Sequence, residues 1–124
     1  SVRDMSITID GAILGTPLYM SPEQWRSERA DFRSDIYSLG ITLFQLIEGT
    51  PPFDAENVAA VMLKHLSSNL PLLSLSIPQR DDLMRLLRKM TAKDLAERYS
   101  SYQDLLHDVG RLLDSAPGGA ARGR

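Results

Sequence analysis

Few side chains in this sequence have a type and spacing that could do chemistry. There is no cysteine, so the chain offers no disulfide, thiolate ligand or thiol nucleophile. The two histidines, His65 and His107, stand on predicted helices without a set of partners at metal-ligand spacing. We therefore expect them to be ordinary surface or half-buried residues. No G-x-G-x-x-G motif occurs, so neither a metal site nor a nucleotide site can be identified from spacing.

Hydroxyl groups lie in loops and turns near the start of the chain. Ser6 and Thr8 belong to a polar segment whose one alternation, Ile7-Thr8-Ile9, indicates a loop with a short extended piece. Thr16 stands in a Gly-Thr-Pro turn. Taken by themselves, all three are ordinary loop or turn hydroxyls.

Two carboxylates are predicted at helix starts. Ser21-Pro22-Glu23-Gln24 has the pattern of an N-cap, a first-turn proline and a capping-box partner. Glu23 would then lie in a first turn, where the helix dipole favours negative charge by a few tenths of a kcal/mol to ~1 kcal/mol. Asp35 would likewise lie in the first turn of the next helix, directly after its expected N-cap Ser34.

The stretch 34–49, SDIYSLGITLFQLIEG, is the element that the rest of the chain must surround. Its apolar residues fall on nearly every side of a helical wheel, and a helix that is apolar all round is buried all round. Ser34 is the expected N-cap, and Gly49 followed by Pro51-Pro52 ends the helix. Composition alone would also allow a strand, but the length and the caps favour a helix.

Three further amphipathic helices and one short capped turn of helix are predicted around it. Their apolar stripes are Val58, Val61, Met62 and Leu66; Leu83, Leu86, Leu87 and Met90; and Tyr102, Leu105, Leu106, Val109, Leu112 and Leu113. Their expected start signals are Asp54, Ser76 with Pro78, and a Ser101/Asp104 capping box. The predicted fold class is all-α, with one domain over 1–114 and a disordered tail or linker over 115–124.

Composition fits one globular domain. The chain has 124 residues, of which 43% are apolar and 24% charged. The net charge of −2 and the pI of about 5.6 exclude a basic footprint for nucleic acid or an anionic membrane. The start has no signal-peptide apolar region, and a chain without cysteine fits a reducing compartment, so we expect a cytoplasmic location. Because the chain does not begin with Met, we expect its natural sequence to continue upstream.

Three blocks of the sequence stand out by their order and spacing. They are GTPLYMSPEQ at 15–24, RSDIYSLGITLFQLIEGTPPF at 33–53 and KDLAERYSS at 93–101. Together they resemble the protein-kinase family, specifically the serine/threonine type common in bacteria. The likeness covers 1–113 but only the second half of a kinase domain. It implies the helical C-lobe half of the α+β kinase fold, without the N-lobe.

The resemblance implies roles for the first part of the chain. Residues 1–14 are similar to most of an activation loop, which makes Thr8 and Ser6 phosphorylation candidates; the alternative is ordinary loop hydroxyls. The implied substrate-binding residues are Thr16, Pro17, Leu18 and Tyr19. In a Ser/Thr kinase the hydroxyl at Thr16 would bond the catalytic Asp and Lys, and the side chains of Leu18 and Tyr19 would line the substrate groove.

Three more residues would have structural roles. Glu23 matches a buried acid that pairs with a distant arginine, and Arg98 matches that arginine; the alternative is a simple first-turn acid. Asp35 matches an acid that holds the backbone of the catalytic loop, and the alternative is a helix-start role only. Ser21 stands where alanine is usual, a mild departure that improves the N-cap.

The parts that a kinase needs for phosphoryl transfer are missing from this sequence. They are the Gly-rich loop, the strand Lys, the His-Arg-Asp loop and the Asp-Phe-Gly motif. We therefore assign no catalytic, cofactor-binding or metal residue, and we expect this chain alone to be inactive. The parent is expected to use Mg-ATP and to have as partners a protein or peptide substrate and the missing N-lobe and catalytic loop. The alternative is a degenerate kinase-like or independent helical interaction module.

The missing parts would also cover one side of the central helix. Without that cover, the chain is expected to expose an apolar patch or to self-associate through it. The expected patch consists of Ile36, Leu39, Leu43 and Phe44.

Overall fold

The fold is a set of helices around one central helix, preceded by a short hairpin. The structure is a computed structural model that describes residues 2, 7–9 and 12–115. In that part of the chain the elements are, in order, β1 (Ile7–Ile9), β2 (Ala12–Gly15), a 3-10 turn (Pro17–Tyr19), α1 (Pro22–Trp25), α2 (Phe32–Glu48), α3 (Val58–Ser67), α4 (Arg80–Met90), a second 3-10 turn (Leu95–Glu97) and α5 (Tyr102–Ser115). The predicted helical fold is confirmed. The short extended piece forms β1, which is antiparallel to β2.

The central helix α2 begins earlier than predicted. Asp31 is its N-cap, with Oδ1 accepting the Arg33 backbone N–H at 2.8 Å. The prediction of Ser34 as the cap was wrong, because the Ser34 side chain is buried and its hydroxyl donates to Glu23 instead. Gly49 ends the helix as predicted, with a left-handed φ of 92° that glycine adopts without a steric penalty.

One side of α2 forms the main core. The buried residues of this core are Ile36, Phe44, Leu73, Met84, Leu86, Leu87, Met90, Tyr99 and Leu105. The predicted exposed patch was wrong for Ile36 and Phe44, which are 0% and 2% exposed, because α4 and its neighbours cover them. Within 34–48, the apolar residues of α2 that are exposed or half-buried are Leu39, Leu43, Leu46 and Ile47. Burial all round was therefore also wrong, since α2 keeps one apolar face toward solvent.

Gly40 of α2 lies close against the end of α4. A Cβ atom at this position would lie 2.7 Å from Thr91 Cγ2 and 2.9 Å from Met90 Cβ. Both distances are shorter than side chains tolerate, so any larger residue would push the two helices apart. Glycine in the middle of a helix normally destabilises it. This contact, rather than helix propensity, therefore explains the glycine.

The starts of the other helices follow the predicted signals only in part. The N-cap of α3 is Asn57 and not Asp54, because the Asp54 carboxylate accepts the N–H of the residue that follows it. Ser76 does not cap α4, which begins four residues further on. The Ser101 hydroxyl accepts the Asp104 backbone N–H at 3.1 Å, as predicted.

Candidate functional site

The predicted substrate loop forms a short 3-10 turn. The backbone of Thr16 is extended, with φ −91° and ψ 137°, and Pro17 follows as the first residue of the turn. The Tyr19 backbone N–H donates to the Thr16 carbonyl at 3.1 Å and closes the turn. The Thr16 side chain is half-buried and makes no cap hydrogen bond, so its hydroxyl is left available to another group.

Hydrogen bonds to α2 hold this turn from one side. The Ser38 hydroxyl donates to the Tyr19 carbonyl at 2.6 Å, and the Tyr19 hydroxyl donates to Gln45 Oε1 at 2.5 Å. Both bonds join Tyr19 to the central helix, one at its backbone carbonyl and one at its side-chain hydroxyl. The turn is therefore fixed relative to the central helix.

The side chain of Leu18 does not line an open groove. Leu18 is 0% exposed and packs in a cluster with Val2 and Val61, and Pro17 is buried beside it. The turn directs this apolar side chain toward α3, where it finds other apolar side chains, rather than toward solvent. Leu18 therefore packs the turn against α3. In the turn, Thr16 and Tyr19 are the residues that keep part of their surface accessible.

Glu23 and Arg98 form a buried ion pair. The capping box predicted for Ser21 is present and places Glu23 in the first turn of α1. Arg98 Nη1 lies 2.7 Å from Glu23 Oε2 and Nη2 lies 3.0 Å from Oε1, so the pair is bidentate. The two side chains are 0% and 3% exposed. The Ser34 hydroxyl donates a third hydrogen bond to the carboxylate.

Arg98 also satisfies backbone groups of two other segments. Its Nε donates to the Ala92 carbonyl at 2.9 Å, and its Nη1 donates to the Arg33 carbonyl at 2.9 Å. The guanidinium carbon lies 5.0 Å from the centroid of the Tyr37 ring. Burial alone would raise the pKa of Glu23, but the hydrogen bonds from Arg98 and Ser34 outweigh it and lower that pKa. The carboxylate is therefore charged at neutral pH.

The remaining predicted site residues are separate from this pair. Asp35 is exposed in the first turn of α2. Thr8 lies in β1 opposite Ile13. Ser6 lies outside the described residues, as does the predicted tail from Ala116 onward.

A buried histidine next to the turn was not predicted from the sequence. His65 is 0% exposed, and its Nδ1 lies 2.7 Å from the Tyr37 hydroxyl oxygen. Burial, followed by the positive charge of Lys93, lowers the pKa of His65 to about 3. The expectation of a surface or half-buried residue was wrong, although a signal was present. His65 follows Val61 by four residues and so belongs to the apolar stripe of α3.

Lys93, in the third sequence block, is a second missed residue. Its Nζ lies 4.2 Å from the centroid of the Phe53 ring and 5.8 Å from that of Tyr37. Burial, followed by the charge of Arg98, lowers the pKa of Lys93 to about 8.

Neither a metal centre nor a membrane span is found in the described part of the chain. No three His, Asp or Glu side chains in residues 2, 7–9 and 12–115 come together in a way that could hold a metal ion. No helix in the same ranges has the length and apolarity that crossing a membrane requires.

Comparison with known proteins gives consistent matches over most of the chain. A family model described as "Protein kinase domain" matches residues 6–109. Serine/threonine-protein kinase PrkC of Bacillus subtilis (strain 168) is 39% identical over 118 residues, which cover 93% of this chain and 18% of the relative. Probable serine/threonine-protein kinase PknB of Lactococcus lactis subsp. lactis (strain IL1403) is 36% identical over 110 residues, 88% of this chain and 18% of the relative. The chain thus spans under one fifth of the length of these curated relatives.

Proposed function

Since this chain belongs to the protein kinase domain family, we propose that it is part of a bacterial serine/threonine protein kinase. It would supply the activation loop, the substrate loop and the scaffold helix α2. The intact protein would transfer the γ-phosphate of Mg-ATP to a Ser or Thr hydroxyl of a protein or peptide. The substrate, the N-lobe and the catalytic loop would be its partners, and its location would be cytoplasmic.

The observation that carries this proposal is the anchored turn at Thr16–Tyr19. The Ser38 hydroxyl of α2 fixes the backbone of the turn at the Tyr19 carbonyl, and the Tyr19 side chain is hydrogen-bonded to Gln45. The Thr16 hydroxyl makes no cap hydrogen bond. A fixed backbone with an available hydroxyl is what a substrate-positioning loop requires, since catalysis depends on holding the reacting groups in one geometry. Thr16 would bond the catalytic Asp and Lys of the intact enzyme, and Tyr19 would border the peptide.

Other predicted residues would stabilise the fold or regulate the enzyme. The buried pair of Glu23 with Arg98 would keep α1, and with it the turn, in register with the chain after α4. The exposed Asp35 carboxylate would accept backbone N–H groups of the catalytic loop. Phosphate on Thr8 or Ser6 would order the activation loop by pairing with arginine.

The chain alone would neither bind ATP nor transfer phosphate. Titration with Mg-ATP in a calorimeter tests this directly, and we expect no saturable heat. Saturable binding would mean that the chain has a nucleotide site of its own, and the assignment to a kinase part without an ATP site would then be wrong.

A chimeric enzyme tests the kinase function itself. The segment of Bacillus subtilis PrkC that aligns with this chain is replaced by the chain, and phosphorylation of a Ser/Thr peptide is measured. We expect the chimera to be active. Thr16→Val, which keeps the shape but removes the hydroxyl, should lower kcat/KM roughly 10–150-fold, the effect of losing a hydrogen bond to a charged group. Thr16→Ser should retain most of the activity.

The outcomes separate the enzyme from the interaction module. Unaltered PrkC is the positive control, and circular dichroism reports whether the chimera is folded. A folded chimera that binds ATP but transfers no phosphate would support the degenerate or independent module. Equal activities of the Thr16→Val and Thr16→Ser chimeras would remove the proposed role of the hydroxyl.

A further inference from the structure

A cleft lies between α4 and α5, apart from the Thr16–Tyr19 turn. The two helices pack against each other and leave a cavity of about 380 Å³. Binding sites for small molecules have volumes of roughly 300–1,000 Å³. None of the residues that line the cleft belongs to the turn, so its ligand is independent of the proposed function.

Both helices line the cleft with the same short pattern. An aspartate, an arginine and a leucine stand at i, i+3 and i+4 in each helix, and this spacing places them on one face. They are Asp82, Arg85 and Leu86 in α4, and Asp108, Arg111 and Leu112 in α5. Lys89 lies one turn after Arg85 on the same face of α4. The local sequence of the two helices therefore gives the cleft two charged sides.

The buried part of the cleft is apolar and its exposed part is cationic. Leu86 and Tyr99 are 7% and 1% exposed. Arg85, Lys89 and Arg111 are exposed. A ligand in the cleft would therefore meet apolar surface at its inner end and positive charge at its outer end.

The two carboxylates of the cleft already have partners. Asp82 Oδ1 lies 2.9 Å from Arg85 Nη1. Asp108 Oδ2 accepts the Tyr99 hydroxyl at 2.6 Å. Neither carboxylate is therefore paired with the other two cations of the cleft.

Those two cations are Lys89 and Arg111. Among the residues that the structure describes, neither forms an ion pair with a carboxylate. Lys89 Nζ lies 4.6 Å from the centroid of the Tyr99 ring, so the ammonium is held over apolar surface. An anion beside an ammonium and a guanidinium forms charge-assisted hydrogen bonds with both. The cleft thus offers two cations that an anion can pair with.

The charge of the lining selects the kind of anion. Three cations and two carboxylates line the cleft, so one positive charge is in excess. A monoanion balances that excess, whereas a second negative charge on the ligand would be repelled by Asp82 and Asp108. The chain as a whole has a net charge of −2, so anions are not attracted to it in general.

We propose that the cleft between α4 and α5 binds a small carboxylic acid in its ionised form, with an apolar body. Lys89 and Arg111 pair with the carboxylate. The apolar body lies against Leu86 and the Tyr99 ring. The alternative for exposed basic residues of α4 is a solvated face, and Arg88, which is exposed but does not line the cleft, belongs to such a face.

Phenylacetate is the probe for this site. The full chain is titrated with it, and the amide chemical shifts are followed by nuclear magnetic resonance. We expect saturable shifts at 82–89 and 108–115, with a Kd of roughly 1 mM. Acetate, which lacks the apolar body, should bind about tenfold more weakly. Benzyl alcohol, which lacks the charge, should give no saturable shift. Phenyl phosphate, which carries more than one negative charge, should bind more weakly than phenylacetate.

Variants of neighbouring cations separate a site from general electrostatics. Lys89→Gln and Arg111→Gln should each weaken phenylacetate binding about two- to fivefold, the effect of losing one exposed ion pair. Arg88→Gln removes the same charge from the next position of α4 and should leave the Kd unchanged. All three side chains are exposed, so the variants should fold, and circular dichroism checks this.

Three results would overturn the proposal. The first is the absence of saturable shifts up to about 10 mM phenylacetate, where a Kd of about 1 mM would give nearly full occupancy. The second is equal weakening by Lys89→Gln and Arg88→Gln, which would mean that the probe responds to the charge of the chain rather than to a site. The third is tighter binding of phenyl phosphate, which would exclude a monoanion. Because these shifts are measured without phosphoryl transfer, an inactive chimera would refute the proposed function and leave this site standing.

Discussion

Replacing Arg98 by Met should destabilise the chain far more than replacing an exposed arginine that makes an equally short ion pair. Arg85 provides the comparison, because its Nη1 lies 2.9 Å from Asp82 Oδ1, against 2.7 Å from Arg98 Nη1 to Glu23 Oε2. The side chains of the exposed pair are 75% and 48% accessible. Those of the buried pair are 0% and 3% accessible. Distance is thus nearly constant, and burial is the variable.

The magnitudes follow from what each variant leaves behind. Arg98→Met leaves a buried carboxylate without its cation and the carbonyls of Ala92 and Arg33 without their donor. Losing one partner of a buried pair costs roughly 3–5 kcal/mol. Arg85→Met should cost less than about 1 kcal/mol, since both charges of that pair remain in water. A domain of this size has a total unfolding free energy of only about 5–15 kcal/mol.

Urea unfolding followed by circular dichroism measures both variants. If the unfolding free energies of the two variants fall with the same slope against urea concentration, the difference between them reports stability alone. If the two variants differ by less than 1 kcal/mol, the reasoning from burial is refuted. The double variant Glu23→Leu/Arg98→Met should be more stable than the sum of the single effects predicts, because it removes both charges and leaves neither uncompensated.

Three further predictions concern pH and glycine. The pKa of His65 is lower in the folded chain than the ordinary value of 6.5, so protonation of this ring favours the unfolded chain. The free energy of unfolding should therefore have its full value above pH 6.5 and fall by about 2 kcal/mol between pH 7.5 and 5.0. His65→Gln should abolish this loss and His107→Gln should keep it; a loss that persists in His65→Gln would refute the assignment. Gly40→Ala should lower the unfolding free energy by about 1–3 kcal/mol through overlap with α4, and an unaffected urea midpoint would contradict this. Gly110→Ala, in a helix with nothing within 4 Å of the new Cβ, should instead raise it by about 0.5–1 kcal/mol in the same assay.

The helices were predictable because their signals are local. The apolar stripe of α5 and the capping box at Ser21 depend on residues within one or two turns of each other. The N-cap of α2 was not predictable in this way. Asp31 and Ser34 are both good capping residues, and the choice between them depends on the contact of Ser34 with Glu23, which the local sequence does not contain.

Tertiary contacts decided the remaining differences. The pair of Glu23 with Arg98 joins residues 75 positions apart, so spacing carries no sign of it and only the family resemblance suggested it. His65 lay on a recognisable stripe, but a polar residue type is weak grounds for predicting burial. Which faces of α2 are covered depends on α4, and a helical wheel cannot show where a neighbouring helix packs.

The span of the Glu23–Arg98 contact has a consequence for the order of events during synthesis. After Glu23 leaves the ribosome, another 75 residues must emerge before its arginine does, which corresponds to about 4–15 s of translation. Until then the carboxylate has no cation and stays in water, since burying it alone is unfavourable. Docking of α1 onto the rest of the domain is therefore a late event, which follows the emergence of the segment before α5. A chain truncated ahead of Arg98 should remain a target for proteases at residues 15–34.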